Sequence, residues 1–233
     1  MCIAGNLAQI RENIIIAKNK ANKIQLHGNE PVKLVAVTKN HNVLAMEEAI
    51  AAGILSVGEN RVQEALGKAS ELKTAVEWQL IGHLQSNKVR QAVSLFDMIQ
   101  SVDSQGLAVE INRVAGKLGK RQDILLQINV AKEESKYGIA AQDLMALGRF
   151  ISSLEHVRLC GIMTIAPFYE QAEQARPVFR EMYQLFMELK AANLENTKIE
   201  WLSMGMTNDY IVAVEEGSNL VRIGTGIFGQ RDY

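Results

Sequence analysis

Lys39 stands at the end of an apolar run, Leu34-Val35-Ala36-Val37, with only Thr38 between. A lysine rising from a buried strand is partly desolvated, and desolvation favours the neutral amine. Such an amine attacks carbonyl carbon and forms a Schiff base. The same position also suits a solvated lysine at a strand–loop junction, because Lys is mostly exposed in proteins. A second concentration of chemistry lies near the end of the chain. Ser203-Met204-Gly205-Met206-Thr207 and Arg222-Ile223-Gly224-Thr225-Gly226 each combine glycine with hydroxyl side chains. Gly205, Gly224 and Gly226 let an anion approach the backbone, and Ser203, Thr207 and Thr225 offer hydroxyl donors, a pairing that suits phosphate. Ordinary turns use the same residues. Arg222 shares a strand face with Gly224, two residues on. A charge within an apolar strand needs a partner, either a ligand or a salt bridge.

Asn60 and His83 follow other strand-like runs, where each suits a ligand contact, a helix cap or a structural hydrogen bond. His27, His41 and His156 read as surface residues, and Met204 and Met206 as packing residues. The histidines are scattered, with no H-x-x-x-H or C-x-x-C spacing, so no metal site is expected. The charged run Glu133-Glu134-Ser135-Lys136 reads as a solvated loop.

These residues need a frame to bring them together. The chain has 233 residues, of which 48% are hydrophobic and 22% charged. That is the composition of an ordinary globular protein with a sizeable core. Twenty-five basic residues against 26 acidic ones give a net charge of −1, which argues against nucleic acid or an anionic membrane as partner. Two cysteines, Cys2 and Cys160, make no disulfide framework. No apolar run is long enough to span a bilayer, and no secretory leader is visible, so a cytoplasmic protein is expected.

The pattern starts with a leading helix within residues 1–27, striped by Leu7, Ile10, Ile14, Ala17, Ala21 and Ile24. From residue 32 to 229 strands and helices alternate. Strands are expected at Val32–Val37, Ile54–Val57, Glu77–Ile81, Phe96–Gln100, Ile124–Val130, Val157–Ile162, Ile199–Leu202 and Leu220–Ile223. Helices are expected between them, the strongest carrying Val178, Met182, Leu185, Phe186 and Leu189. The spacing averages about 27 residues per unit, close to a βαβ repeat. Nearly continuous apolar strands imply a parallel sheet buried on both faces. Eight such units predict one α/β domain, residues 1–233: a (β/α)₈ TIM barrel with an extra N-terminal helix. An open doubly wound sheet is the alternative, but Thr38-Lys39-Asn40-His41 replaces its glycine fingerprint. In a barrel the residues after the strands share one rim, and phosphate sits by the loops after strands seven and eight.

With these residues placed, the chain resembles the pyridoxal phosphate homeostasis (YggS-like) family, whose barrel is of the alanine racemase N-terminal type. The resemblance rests on Ala36-Val37-Thr38-Lys39, on Gly58-Glu59-Asn60-Arg61-Val62-Gln63-Glu64, and on Trp78-Gln79-Leu80-Ile81-Gly82-His83-Leu84-Gln85-Ser86-Asn87-Lys88. It continues in Gly161-Ile162-Met163-Thr164-Ile165-Ala166-Pro167, Leu202-Ser203-Met204-Gly205-Met206-Thr207-Asn208-Asp209 and Val221-Arg222-Ile223-Gly224-Thr225-Gly226-Ile227-Phe228-Gly229. It implies that Lys39 carries pyridoxal 5'-phosphate (PLP) as an internal aldimine. It further implies that Ser203, Gly205, Thr207, Gly224 and Thr225 cradle the phosphate, that Arg222 partners the pyridine nitrogen, and that Asn60 and His83 lie near the cofactor. Three positions depart from the family pattern: Thr207 stands where serine is more usual, Gln79 where histidine is common, and the Lys39 loop lacks a nearby proline.

The implied function is vitamin B6 homeostasis, with PLP held and released to PLP-dependent acceptor enzymes, by a monomer without catalytic turnover. An arginine at the ring nitrogen agrees with this, since its charge opposes ring protonation and weakens the electron sink. The expected shortage of residues for a second domain, which supplies a proton donor in racemases of this barrel type, points the same way. A weak PLP-dependent racemase or lyase is the alternative, and a Schiff-base aldolase for a phosphosugar uses the same lysine and phosphate logic.

Overall fold

Each short apolar strand must return parallel to its predecessor, and a covering helix is what permits that return. The computed structural model describes residues 2–21, 30–131, 133 and 136–229. A leading helix, α1 (Ile3–Lys20), is followed by β1 (Lys33–Val37), α2 (Val43–Ala51), β2 (Ser56–Glu59), α3 (Val62–Glu71), β3 (Glu77–Leu80), α4 (Val89–Leu95), β4 (Met98–Val102) and α5 (Gln105–Lys117). The second half runs β5 (Gln122–Gln127), α6 (Leu144–Ser152), β6 (Val157–Met163), α7 (Arg176–Ala191), β7 (Thr197–Ser203), α8 (Tyr210–Glu215), β8 (Leu220–Ile223) and α9 (Thr225–Phe228). The strands close in sequence order into an eight-stranded parallel barrel, with β1 paired to both β2 and β8. This is the (β/α)₈ architecture expected from the periodicity.

Local chemistry sets the helix starts. Asn42 Oδ1 accepts from the Ala45 N–H at 2.9 Å and caps α2. Ser104 caps α5 through the Leu107 N–H. On α7, Phe179, Met182, Phe186 and Leu189 form a fully buried stripe against the barrel, so Phe179 carries core weight beside the expected residues. Helix α1 packs against α8 and α9. It is stitched there by Asn6 Nδ2 to the Ile227 carbonyl at 2.8 Å and Asn13 Nδ2 to the Tyr210 hydroxyl at 2.9 Å. The leading helix therefore braces the two elements that follow β7 and β8. Ile24 and His27, part of the expected helix and its stop, lie outside the described residues, as do Glu134 and Ser135.

Several boundaries differ from expectation. The second and fourth strands begin two residues later, at Ser56 and Met98. The apolar residues before them belong to the helix layer: Ile54 packs there, Leu55 is exposed, and Phe96 caps the end of α4 inside the core. The strands instead run on past the expected ends, the second to Glu59 and the fourth to Ser101 and Val102, all buried. The fifth strand starts earlier, at Gln122, whose amide donates to the Phe96 and Asp97 carbonyls. Leu118 is the C-cap of α5 and lies half in water. The single turn α9 was not anticipated by the periodicity, because four residues show no period.

One backbone position is severely constrained. Gly161 in β6 has φ of +148°, and a Cβ there would lie 1.9 Å from the Trp201 carbonyl oxygen. The β6–β7 register shifts beside it. Gly161→Ala is expected to cost about 2–4 kcal/mol, measured by urea unfolding; a loss below about 0.5 kcal/mol, the size of a neutral surface change, would contradict this reading.

Candidate functional site

Because all strands are parallel, residues following them meet at one end of the barrel. There a cavity of about 250 Å³ opens, close to the lower end of small-ligand pockets, roughly 300 Å³. Lys39 and His41 enter it from the turn after β1. Ala166-Pro167-Phe168-Tyr169 form a wall after β6. Met206, Thr207, Asn208 and Asp209 line it after β7, and Arg222, Gly224 and Thr225 from β8 and the turn beyond. Lys39, Thr207, Arg222, Gly224 and Thr225, singled out from sequence, are thus brought together across nearly the whole length of the chain.

The floor is a buried cation. Arg222 is 3% exposed. Its Nη1 donates to Ser203 Oγ at 2.5 Å and its Nη2 to the Thr164 carbonyl at 2.7 Å. Burial pushes the guanidinium down to about 10, partly opposed by Asp209, so it remains charged at neutral pH. Ser203 Oγ in turn donates to Gln100 Oε1 at 2.6 Å. Ser203 and Gln100 sit on β7 and β4, three strands apart in the ring, so this bond crosses the lumen. Gln100 Nε2 donates to Gln79 Oε1, and Gln79 donates to Glu77 at 3.2 Å. Glu77 pairs with Lys33 at 2.6 Å. A continuous polar line therefore runs from the foot of the barrel to Arg222. Met98, Leu125, Cys160 and Met163 form a separate buried apolar set.

One side of the cavity carries hydroxyls. Thr207 Oγ1 accepts from Thr225 Oγ1 and from the Gly226 N–H, both at 3.1 Å. The Gly226 amide is thus committed to Thr207. Gly205 has φ of +94°, and a Cβ there would come within 2.6 Å of Ala213. Its glycine serves the close approach of this loop to α8. The Gly205 carbonyl accepts from the Arg222 N–H. Asp209, 8% exposed, closes the same loop, its Oδ1 accepting from the Met206 N–H at 2.7 Å. Burial raises the Asp209 carboxyl above its usual range, against the pull of the Met206 hydrogen bond and Arg222.

Asn60 and His83 fall elsewhere on the rim. Neither lines the cavity. The Asn60 backbone packs on Gly82. The His83 ring stacks on Tyr137 with centroids 3.9 Å apart, and its Nδ1 lies 3.7 Å from Asp103. His41, read from sequence as a surface residue, is instead a half-buried wall of the cavity, stacked on Phe228 at 4.4 Å. Its position depends on α9, which the periodicity did not reveal. Gln100 and Asp209 were also not singled out for a role. A polar residue inside a buried strand was the available signal for Gln100. Met204 packs, fully buried, whereas Met206 lines the cavity. Among the described residues no group of three or more His, Cys, Asp or Glu is placed to hold a metal, and no helix is long and apolar enough to cross a membrane.

The donor set fits a small phosphorylated carbonyl compound: an amine, hydroxyls on one side, and a buried cation on the floor. Ser203→Ala would leave an Arg222 proton and Gln100 Oε1 unpaired in the lumen. A loss of about 1–3 kcal/mol in urea unfolding is expected; an unchanged midpoint would contradict the coupling.

The chain matches known proteins over nearly its whole length. Residues 6–232 match the alanine racemase N-terminal domain family. The pyridoxal phosphate homeostasis protein of Pasteurella multocida is 40% identical over 237 residues, covering 100% of this chain and 99% of the relative. The structure of PipY from Synechococcus elongatus PCC7942 with PLP bound has a TM-score of 0.82 at 38% identity, covering 97% of this chain and 100% of PipY. An alanine racemase of Clostridium difficile 630 shares the fold, with a TM-score of 0.73 at 15% identity over 95% of this chain and 58% of the racemase.

Proposed function

The chain belongs to the pyridoxal phosphate homeostasis proteins, a family built on the alanine racemase N-terminal domain, and from that premise we propose that it binds PLP and maintains its supply, holding the cofactor on Lys39 and releasing it to acceptor enzymes. The observation that carries this reading is the convergence of the Lys39 amine, the Thr207 and Thr225 hydroxyls and the Arg222 guanidinium on one cavity. When bound, PLP supplies an aldehyde for imine formation and a pyridine ring for withdrawing electrons. Lys39 is the residue for the covalent link. Thr207, Thr225 and the backbone at Gly224 take the phosphate. Ser203 and Gly205 support the cradle from beneath, Ser203 by anchoring Arg222 and Gly205 by seating the loop on α8.

Arg222 decides between holding and transforming. A guanidinium that stays charged and buried is a hydrogen-bond donor only. A ring nitrogen facing it accepts that bond and stays unprotonated, which limits the electron sink that amino-acid chemistry needs. We therefore read the protein as a non-catalytic carrier, and further propose that it is monomeric and cytoplasmic, with residues 1–233 forming one cofactor-binding unit. Asn60 and His83 belong to the wider rim around the cofactor mouth rather than to the pocket wall.

The purified protein incubated with PLP is expected to turn yellow, and borohydride is expected to fix the cofactor to the peptide containing Lys39. Lys39→Ala should stay colourless. A fully coloured variant would remove Lys39 from its role. Lys39-dependent exchange of the α-proton of alanine or serine in deuterated water, at about 1 s⁻¹ or faster, would replace the carrier with an enzyme.

A further inference from the structure

The backbone on either side of Lys39 is gripped by a buried ionic cluster that takes no part in the cavity wall. Its centre is Lys68 on α3, 9% exposed. The Lys68 ammonium has three protons and uses all of them. It donates to the Thr38 carbonyl at 2.7 Å, to Glu59 Oε1 at 2.7 Å and to Glu64 Oε1 at 2.6 Å. Thr38 Oγ1 donates to the same Glu59 oxygen at 2.6 Å. On the far side of Lys39, the Asn40 N–H donates to Glu64 Oε1 at 2.6 Å. Thr38 and Asn40 are therefore tied to one ammonium, directly and through Glu64, and Lys39 is the single residue between them.

Side-chain alternation makes the grip useful. Thr38 points outward beneath α3, so Lys39, the next residue, points the other way, into the cavity. Asn40 adopts a left-handed backbone, φ +63°. That conformation is uncommon for a residue with a side chain, and the Glu64 bond opposes its relaxation.

As a stabilising device the cluster is poor. It sets two carboxylates against one ammonium. Glu59 is fully buried, and its Oε2 meets no hydrogen-bond partner among the described residues. Burial raises the Glu59 carboxyl above its usual value despite Lys68 and Thr38. Glu64 is desolvated too, but the bonds from Lys68 and Asn40 outweigh this and hold its carboxyl low. Buried ion pairs often stabilise no better than apolar packing would, and fixing a unique geometry is the better-supported reason to keep one. The segment fixed here is the one that aims the reactive amine.

We propose that Lys68 and Glu64 are positioning residues for Lys39, holding the Thr38–Asn40 turn so that the Lys39 amine meets the carbonyl carbon of an incoming aldehyde. The inference rests on Lys39 as the site of imine formation. In that step the neutral Nζ lone pair attacks the aldehyde carbon, a C=N bond replaces the C=O bond, and the oxygen leaves as water with both Nζ protons. Neither Lys68 nor Glu64 exchanges a proton in it. Their contribution is orientation, and misplacing a reacting group by about 1 Å costs up to about a hundredfold in rate.

The test uses the full chain without cofactor, mixed with PLP. The rate of imine formation is followed by visible absorbance, and the product is trapped with borohydride and mapped to a peptide. Hydrogen exchange at the Asn40 amide is measured in parallel. Glu64→Ala should speed Asn40 exchange and slow labelling of Lys39 by tenfold or more, with the circular dichroism spectrum unchanged. Glu64→Gln keeps an acceptor for the Asn40 N–H and should restore most of the rate. Should Glu64→Ala fail to fold, Lys68→Arg retains the charge but moves the donors, and the same slowing is expected. A folded variant that labels Lys39 at the wild-type rate, whatever its Asn40 exchange, overturns the positioning role. A wild-type label on another lysine has a different meaning: it removes the assignment of Lys39 itself, and the inference with it.

Discussion

A charged guanidinium sealed into the mouth of a barrel is the constraint around which this structure is arranged. Arg222 cannot shed its proton near neutrality, so the lumen has to supply acceptors for it. Ser203 and the Thr164 carbonyl do so directly. Ser203 then needs Gln100, and Gln100 needs Gln79. The line ends at the foot of the barrel in the ion pair of Glu77 with Lys33. Polar residues that interrupt otherwise apolar strands are thereby accounted for as one network. Gln79 keeps this line free of a group that titrates near neutral pH. An amide bridges its neighbours with a fixed number of protons.

The neighbouring wall of the cavity, beyond β1, is held by different physics. Arg222 is fixed from within the lumen, whereas the Lys39 turn is fixed from outside the barrel, through α3. The hydroxyl side is braced from a third direction, because α1 ties itself to α8 and α9 through Asn6 and Asn13. Three independent supports meet at one cavity. Such rigidity suits a site that recognises one small anionic aldehyde, since preorganised groups lose little freedom on binding.

Much of this was legible in the sequence. The alternation of short apolar runs with 3.6-periodic segments predicted the closed barrel, and the barrel rule predicted that Lys39, Thr207, Arg222, Gly224 and Thr225 would meet. What escaped was what periodicity does not encode. The second and fourth strands start late because Ile54 and Phe96 are apolar for the helix layer, not for the sheet. His41 faces the cavity because α9, too short to show a period, places Phe228 against it. The Ser203–Gln100 bond joins residues 103 apart in sequence, and only the closure of the ring brings them within reach. Asn60 and His83 follow the right strands, yet they occupy the part of the rim beyond the cavity, since sharing a rim does not mean sharing a pocket.

The central claim is that one cavity holds PLP by its aldehyde at Lys39 and its phosphate at Thr207 and Thr225, above Arg222. A crystal structure of the full chain grown with PLP tests it most directly. Continuous density from Lys39 Nζ to the cofactor, with the phosphate against both threonine hydroxyls and the ring nitrogen within hydrogen-bond distance of Arg222, is the predicted result. Cofactor bound elsewhere on the barrel, or lying in this cavity with its phosphate turned away from Thr207 and Thr225, would contradict it.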